Sequence, residues 1–583
     1  MKIFELRLRH FRGFRDLPIR PTGHVVLMGT PGAGRSDVID GMSRVLDPEY
    51  TRRRLADEFD FFRGDTSQPA EVEATIGELG PALEQHFLDY LEIWDSEKRA
   101  IVDELDLPEE IDRGCHSFVI RLCYRAEWSG AEQRVEEFIY LPKTSDLQNG
   151  LFTHARLADV GRLGFARIRW LGGRILDLGG RSGFRQIIEH AEGADFAQAV
   201  SEYLDGVEAS AQLFTETAQV RAAIEQLLHT LAGPLRLGNV DPGKTFKFVP
   251  EGGAGTGLLR SLVPALDLQD GAGLLPVHRH GSTTANLFRV AEALALTSAV
   301  GGVVAMDDLG DALDGGSAMH LAAAIQRQSS QAWITTRLAS VAEIFNPDEV
   351  FRLGRDENGE RVACQGRTST TKADRIAAKH WTRNLLPALS FSAVIILEGP
   401  DDFAALHSLT LRLFKEHGVP LPASRGVTFV SAAAAGSGGS SNVPRLARLA
   451  RDMGLWSVGV IDWDMAGDSA TILQRSIESA NCIVRLPEGF AIERSLIRGV
   501  PQDALRQTLR ELSKAERLDE FGNIGDLPGD ELEASAITLL KSRSLHGPFV
   551  EWLPDDALPP VACSLLLAAV DAAANRTSGH IQL

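Results

Sequence analysis

The sequence predicts an α/β protein made of two domains, and three observations lead to this prediction. Residues 24–46 run as an apolar strand, a glycine-rich loop and an amphipathic helix. Residues 281–345 repeat a helix, strand, helix order, and in the C-terminal part strands at 393–398 and 457–462 are separated by helices. Strands that alternate with helices are typical of parallel α/β sheets.

The composition is typical of a globular cytoplasmic protein. Its 44% hydrophobic and 24% charged residues are ordinary, and no apolar run reaches the ~18 residues of a membrane span. The start of the chain alternates apolar and basic residues, which predicts a strand and not a signal peptide. The five scattered cysteines include no CxxC pair, which argues against a disulfide framework or a zinc ribbon and predicts a reducing compartment.

The net charge of −19 weighs against broad electrostatic attraction to a polyanion. A nucleic-acid enzyme can still have a negative net charge if its basic residues line one groove and its carboxylates bind metal ions. Charge alone therefore leaves nucleic-acid enzymes and other functions open.

The segments between these motifs have weaker signatures. Residues 80–112 predict an acidic helical stretch, and residues 117–141 predict a hairpin with alternating apolar positions. Residues 185–233 predict a helical insertion, which either packs against a second subunit or remains a solvated hairpin. The polar residues 365–375 mark a domain junction, and residues 431–441 have the composition of a flexible loop.

The glycine-rich loop fits the GxxxxGK[ST] pattern of a phosphate-binding loop, except that Arg35 holds the lysine position. The pattern needs glycines, here Gly29, Gly32 and Gly34, because backbone N–H groups must surround the phosphates without obstruction by a Cβ atom. Ser36 is then expected to ligate Mg²⁺ beside bound ATP.

Three further segments accompany this loop along the chain. An apolar strand at residues 302–306 ends in Asp307 and Asp308, and Asp307 is expected to hold the Mg²⁺ shell. Residues 280–284, with Ser282 at their centre, precede an apolar helix. Residues 333–337 form a strand that ends in two threonines and an arginine.

In this order the segments resemble the ABC-type ATPase of the OLD and RecF/SMC-like proteins, over roughly residues 1–360. The resemblance implies that Asp308 replaces the glutamate that polarises the attacking water. It also implies that Ser282 belongs to a signature segment that caps the nucleotide of a second subunit, so a homodimer or a larger even oligomer is expected. Arg35 for lysine and Arg337 for histidine are further departures. Arginine is a planar fork and not a compact point charge, so we expect ATP to bind but to be hydrolysed slowly.

Acidic residues follow two apolar strands in the C-terminal half. Glu398 ends one strand and Asp402 follows it after a glycine turn, while the other strand ends in Asp462 and Asp464. Ligands gather at the carboxyl ends of parallel strands, so these side chains are expected to converge. Because such a cluster repels itself unless cations neutralise it, Mg²⁺ or Mn²⁺ with oxygen ligands is expected.

This pair of strand ends resembles the Toprim fold, over about residues 388–583, and Asp402 resembles the addition with which OLD-family proteins build a two-metal site. The resemblance implies Glu493 as a further acid. It also implies Lys541 as the cation near the scissile phosphate, with Arg543 as a competitor for that role. Glu398, Asp462, Asp464 and Lys541 are therefore the expected catalytic residues. The five tyrosines all precede residue 210, which argues against a topoisomerase, and the absence of a zinc ribbon argues against a bacterial-type primase. Water is the expected nucleophile.

The two resemblances together imply an OLD-family nuclease. Its ABC-type ATPase domain would span residues 1–375, with the insertion at 185–233, and its Toprim nuclease domain would span residues 388–583. Such proteins include the nuclease subunit of Gabija-type systems and act on DNA in antiphage defence, often beside a helicase-like partner. The alternative is a non-catalytic, nucleotide-sensing DNA-binding scaffold or a RecF/SMC-like repair ATPase. Arg35 and Asp308 favour the non-catalytic scaffold, and the carboxylate set opposes it.

Overall fold

A computed structural model gives the fold, and the chain forms two compact units. The first consists mainly of Met1–Met28 and Gly34–Leu353, and the second mainly of Cys364–Leu583. The structure describes residues 1–48, 50, 54–103, 114–168, 216–238, 241–250, 262–300, 302–311, 313–356, 358–367, 381–433, 439–463, 469–518 and 523–583.

The elements below are numbered in chain order. The strands are β1 Lys2–Phe11, β2 Phe14–Ile19, β3 Val25–Gly29, β4 Ala70–Gly77, β5 Glu92–Asp95, β6 Ala100–Ile101, β7 His116–Ser129, β8 Arg134–Tyr140, β9 Phe165–Ile168, β10 Phe246–Pro250, β11 Leu262–Asp267, β12 Leu274–Pro276, β13 Val303–Met306, β14 Gln331–Thr335, β15 Val350–Arg355, β16 Arg361–Gln365, β17 Ala393–Leu397, β18 Val427–Ser431, β19 Trp456–Ile461, β20 Cys482–Arg485 and β21 Gly579–Gln582. The helices are α1 Arg35–Leu46, α2 Pro81–His86, α3 Leu157–Gly161, α4 Ala218–Leu231, α5 Pro242–Thr245, α6 Ser282–Val300, α7 Gly315–Gln328, α8 Ala339–Ala342, α9 Leu386–Ala388, α10 Pro400–His417, α11 Val443–Asp452, α12 Ser469–Ser479, α13 Ile492–Ile497, α14 Gln502–Ala515, α15 Gly529–Arg543, α16 His546–Trp552 and α17 Pro560–Ala574.

The first unit opens with a seven-stranded sheet in the order β2-β1-β4-β7-β5-β6, with β8 paired to β7. Its neighbouring strands run antiparallel, and β1 alternates between buried residues such as Leu6 and Leu8 and more exposed basic residues. That alternation follows from a sheet with one face on the core. The predicted N-terminal strand and the predicted hairpin over residues 117–141 are both confirmed.

The prediction of an acidic helix over residues 80–112 is wrong beyond α2. The chain continues as β5 and β6, an antiparallel pair, and β5 also pairs with β7. Ile93 and Trp94 have side chains that favour strands. Asp95 closes the turn because its Oδ1 accepts hydrogen bonds from two backbone N–H groups, at 2.8 and 2.9 Å. Residues 104–113 lie outside the described ranges.

A second sheet of the first unit has the order β16-β15-β3-β14-β13-β9, and β3, β14, β13 and β9 are parallel. Every residue of β3, β13 and β14 is buried. Such continuous apolar runs are typical of parallel strands covered on both faces. The strand, loop and helix over residues 24–46 and the helix, strand, helix order over residues 281–345 are confirmed. A three-stranded antiparallel sheet, β10-β11-β12, completes the strands of this unit.

The predicted insertion over residues 185–233 is described only near its C-terminal end. There α4 is helical, while residues 169–215 lie outside the described ranges, so its part in dimerisation stays a prediction. Residues 368–380 and 434–438, within or next to the predicted junction and loop, also lie outside. None of the helices in the described ranges is long and apolar enough to cross a membrane.

The second unit is built on a five-stranded sheet in the order β18-β17-β19-β20-β21, and all its neighbouring pairs are parallel. The parallel α/β prediction is therefore confirmed for β17 and β19, which lie side by side. Helices α10 and α17 pack on the sheet, and α16 packs on α10. Their side chains include Leu409, Phe549 and Leu566, all nearly inaccessible to solvent. Complete burial of each such side chain contributes about 1.5–3 kcal/mol. The carboxyl ends of β17 and β19 are thus fixed beside each other on a packed core.

Candidate functional site

The predicted phosphate loop connects β3 to α1 in a conformation that needs glycine. Gly29, Gly32 and Gly34 all have positive φ, at 145°, 75° and 97°. A Cβ atom at Gly34 would also lie 2.7 Å from Phe14 Cζ and 2.7 Å from Arg361 Nη1. The backbone therefore turns sharply into the first residues of α1, as a loop that surrounds phosphates with N–H groups must do.

Ser36 and Asp307, predicted to share a Mg²⁺ ion, lie together. The Ser36 hydroxyl donates to Asp307 Oδ1 at 3.0 Å, and the Thr335 hydroxyl donates to the same oxygen at 2.6 Å. These residues are far apart in sequence but adjacent in space because β3, β14 and β13 are neighbours whose carboxyl ends face one edge. A hydroxyl and a carboxylate at this place are oxygen donors of the kind that Mg²⁺ uses.

The three residues that depart from the ABC pattern also contact each other. Arg35 Nη2 lies 3.7 Å from Asp308 Oδ1, and Arg337 Nη2 lies 3.8 Å from Asp308 Oδ2. Asp308 has φ 51°, and its backbone N–H donates to Thr335 Oγ1 at 2.7 Å. Aspartate tolerates this region of φ better than most other non-glycine residues.

The Arg35 side chain is buried and engaged inside its own unit. Its Nη1 donates to the carbonyl oxygen of Thr336 at 2.8 Å. Burial lowers the pKa of Arg35, and the nearby Asp308 carboxylate opposes that shift. A guanidinium held in this way must give up a buried hydrogen bond before it can turn to a nucleotide phosphate.

Ser282 is exposed at the first turn of α6. In the described part of the chain no hydrogen bond or ion pair joins it to the glycine loop of the same chain. Its assignment to a segment that caps a second subunit's nucleotide stays a prediction.

The predicted carboxylates of the second unit gather at the ends of β17 and β19. Glu398 Oε1 accepts a hydrogen bond from the backbone N–H of Asp462 at 3.0 Å, and Asp462 Oδ2 accepts one from the N–H of Ile492 at 3.2 Å. Asp402 Oδ2 accepts the N–H of Gly399 at 2.9 Å, in the first turn of α10. Three of the predicted ligands are therefore anchored by backbone groups.

The electrostatics of this cluster are those of crowded, partly buried acids. Burial raises the pKa of Asp462 well above its usual range, and the carboxylates of Asp402 and Glu398 raise it further. Burial also raises the pKa of Asp402 to about 6, against the lowering effect of the Gly399 N–H. Acids with raised pKa values favour the bound proton or another cation.

Glu493, predicted only from the Toprim resemblance, is buried in α13 beside two cations or potential cations. Lys541 Nζ lies 3.6 Å from Glu493 Oε2, and His546 Nε2 lies 3.4 Å from Oε1. Burial pushes the pKa of Glu493 up, but the contact with His546 and the charge of Lys541 outweigh it, so the pKa is lowered. Arg543, the competitor of Lys541, is the exposed last residue of α15.

Sequence analysis missed His546 and Asp401. His546 Nδ1 lies 3.8 Å from Asp401 Oδ1, which places this histidine between two acids of the cluster. In the sequence, His546 is marked only by the His-Gly-Pro-Phe stretch that follows Lys541. A single histidine forms no spaced motif, so the sequence does not distinguish a site residue from a core residue.

Asp464 lies outside the described residues. Within the described ranges, no three or more His, Cys, Asp or Glu side chains are placed to hold a metal ion. The donors that are described, carboxylates with raised pKa values and backbone anchors, suit hard divalent cations. The two-metal arrangement stays a prediction.

The fold and the site define a mixed α/β protein with a glycine-rich loop between β3 and α1 and a group of carboxylates near the ends of β17 and β19. No family model and no curated protein matches the chain. Among solved structures it is similar to the SmcHead bound to the C-winged helix domain of ScpA, with 14% identity and a TM-score of 0.36 over 62% of this chain and 97% of that one. This score is too low to carry weight for the function of the chain.

Proposed function

We propose that the chain is a metal-dependent DNA endonuclease controlled by nucleotide binding to an ABC-type ATPase domain. The observation that carries the proposal is the set of acids gathered at the ends of β17 and β19, namely Glu398, Asp402, Asp462 and Glu493. Raised pKa values at Asp402 and Asp462 mean that their ionised forms are unfavourable without a cation. A scaffold protein has little use for such a cluster.

In this proposal the chain's own residues hold the cations and manage charge. Glu398, Asp462 and Asp464 would hold one Mg²⁺ or Mn²⁺ ion, and Asp402 and Glu493 would help to hold a second. Two bound ions would supply a hydroxide nucleophile and stabilise the departing oxygen of a phosphodiester.

Lys541 would neutralise charge on the phosphoryl oxygens. Its side chain is 55% exposed while its ammonium group contacts the buried Glu493, so much of the side chain lies in solvent and can turn toward a phosphate. Arg543, close by in sequence and also exposed, is the alternative cation.

The proposal for the nucleotide site is ATP binding with slow hydrolysis. The loop conformation and the Ser36–Asp307 contact support ATP binding, because neither depends on the side chains of the substituted residues Arg35, Asp308 and Arg337. The engagement of Arg35 with Thr336 and Asp308 supports slow turnover. Bound nucleotide would then control the nuclease site. Such control requires that ATP bind with different affinities to the conformations that can and cannot cleave DNA.

DNA is the proposed substrate, and a homodimer or a larger even oligomer is the proposed assembly. The proposed setting is cytoplasmic antiphage defence beside a helicase-like partner, and its support is the OLD-family resemblance. A non-catalytic nucleotide-sensing scaffold, or a RecF/SMC-like repair ATPase, is the second candidate. The buried pairing of Arg35 favours the non-catalytic scaffold, because this guanidinium must break its contacts with Thr336 and Asp308 before it can bind a nucleotide phosphate.

Plasmid cleavage by the purified protein tests the proposal. We expect supercoiled DNA to be nicked or cut in Mg²⁺ or Mn²⁺ and to remain intact in excess chelator. Asp462→Ala should abolish cleavage, and a matched exposed substitution, Asp452→Ala, should leave it unchanged. Full activity of Asp462→Ala, or activity in chelator, would contradict the proposal.

A further inference from the structure

His546 is a buried histidine for which the proposed function gives no role. It is 1% exposed, and neither ring nitrogen makes a hydrogen bond within the described residues. The Nε2–Glu493 Oε1 distance of 3.4 Å and the Nδ1–Asp401 Oδ1 distance of 3.8 Å are longer than well-formed hydrogen bonds. Buried polar groups in proteins are almost always hydrogen-bonded, so this side chain calls for an explanation.

The packing of α16 on α10 holds the backbone of His546 in place. Helix α15 ends at Arg543, the next residue, Ser544, has φ 51°, and α16 starts at His546. Helix α16 packs on α10, where Arg412 Nη1 donates to the carbonyl oxygens of Val550 at 2.8 Å and Leu553 at 2.5 Å. The Ser408 hydroxyl of α10 donates to Glu551 at 3.0 Å. The histidine is therefore positioned by a rigid pair of helices and not by a mobile loop.

The two acids that His546 faces lie on different elements. Asp401 is in the first turn of α10, and Glu493 is in the first turn of α13. The imidazole lies between them, with Nε2 near Glu493 and Nδ1 near Asp401. A neutral ring has one N–H group and can donate to only one of the two carboxylates. A small inward shift of Glu493 would convert the 3.4 Å contact into a hydrogen bond.

We propose that His546 is a positioning residue of the metal site, which orients Glu493, with Asp401 on its other side, for cation binding. The inference rests on the proposed function. Carboxylates that bind metal are themselves oriented by hydrogen bonds, and loss of such an outer partner typically weakens metal affinity or activity by about 10–100-fold. Glu493 is the ligand through which His546 would act.

Mn²⁺ binding to the full-length protein tests this inference. In His546→Phe, which fills a similar volume without ring nitrogens, we expect Mn²⁺ affinity in calorimetry or electron paramagnetic resonance to fall by about 10–100-fold. His546→Gln keeps a donor near the Nε2 position and should recover most of that loss. His407→Phe, an exposed histidine on α10, is the matched control and should bind Mn²⁺ like the native protein.

The Mn²⁺ dependence of DNA cleavage distinguishes a positioning role of His546 from a general loss of structure in the variant. The Mn²⁺ concentration for half-maximal cleavage should rise in His546→Phe, while the rate at saturating Mn²⁺ stays near that of the native protein. Thermal unfolding in chelator reports whether each variant is folded. If His546→Phe does not fold, His546→Leu, which also lacks ring nitrogens, takes its place, with the same expected loss of Mn²⁺ affinity and the same recovery in His546→Gln.

Two results would overturn the inference in distinguishable ways. If the native protein binds Mn²⁺ and folded His546→Phe binds it equally well, or if His546→Gln is as weak as His546→Phe, the positioning role is wrong and the proposed function stands. If the native protein binds no Mn²⁺ at all, the proposed metal site is wrong and the inference falls with it.

Discussion

Asp402→Asn should stabilise the metal-free protein at alkaline pH, contrary to the usual effect of changing a helix-capping residue. The folded-state pKa of Asp402 is raised from 3.8 to about 6, chiefly by burial. Asparagine keeps an oxygen that can accept the Gly399 N–H but carries no charge. The substitution therefore removes the unfavourable carboxylate and retains the cap.

The magnitude follows from the shift in pKa. Each unit corresponds to about 1.4 kcal/mol, so a rise of roughly two units makes the ionised Asp402 cost about 3 kcal/mol in the folded protein. Below the unfolded-state pKa the group is protonated in both states and costs nothing. As pH rises from about 4 to about 6 the folded state retains the proton longer, so stability falls across this window and stays lower above it.

Thermal unfolding of the second unit in excess chelator at pH 8 is the assay. Since about 1 kcal/mol shifts the midpoint of a unit of this size by ~2–4 °C, we expect Asp402→Asn to melt up to roughly 10 °C above the native protein. The difference should shrink near pH 4. Asp452→Asn, an exposed acid on α11, is the control. A variant that is equally or less stable at pH 8 would refute the account of Asp402 as a strained carboxylate.

Further predictions concern the nucleotide site, assembly and biology. Arg35→Ala should weaken ATP binding in calorimetry and alter nuclease control, whereas Arg35→Lys should raise phosphate release; rapid turnover by the native chain, or no ATP binding, would contradict this. Light scattering should show a dimer or larger even oligomer, and Ser282→Arg should reduce ATP-dependent assembly; a monomer with and without ATP would exclude it. Expression with neighbouring genes should protect cells against phage, and unchanged infection would remove the defence role.

The elements that the sequence predicted correctly have local signatures. The strand before the glycine loop is a run of buried apolar residues, and Gly34 has both positive φ and no room for a side chain, so its identity is fixed by its own position. The strand end at Glu398 and the adjacent end at Asp462 could be placed together because parallel strands share an edge.

The features that sequence reasoning missed depend on contacts between distant residues. β5 forms where a helix was expected because pairing with β7 and the turn at Asp95 outweigh helix propensity. The contacts of Arg35 with Thr336 and Asp308 join residues with no common local pattern. His546 enters the acidic cluster only because α16 packs on α10.

Parallel measurement of Mn²⁺ binding and plasmid cleavage for the native protein and Glu398→Gln tests the central claim most directly. Glutamine has nearly the shape of glutamate and can still accept the Asp462 N–H through its amide oxygen, so the strand ends should keep their structure. We predict that the native protein binds Mn²⁺ and cleaves DNA, while folded Glu398→Gln loses most of both. Native-level cleavage by Glu398→Gln, or a native protein that binds Mn²⁺ but cleaves no DNA with or without ATP, would contradict the account.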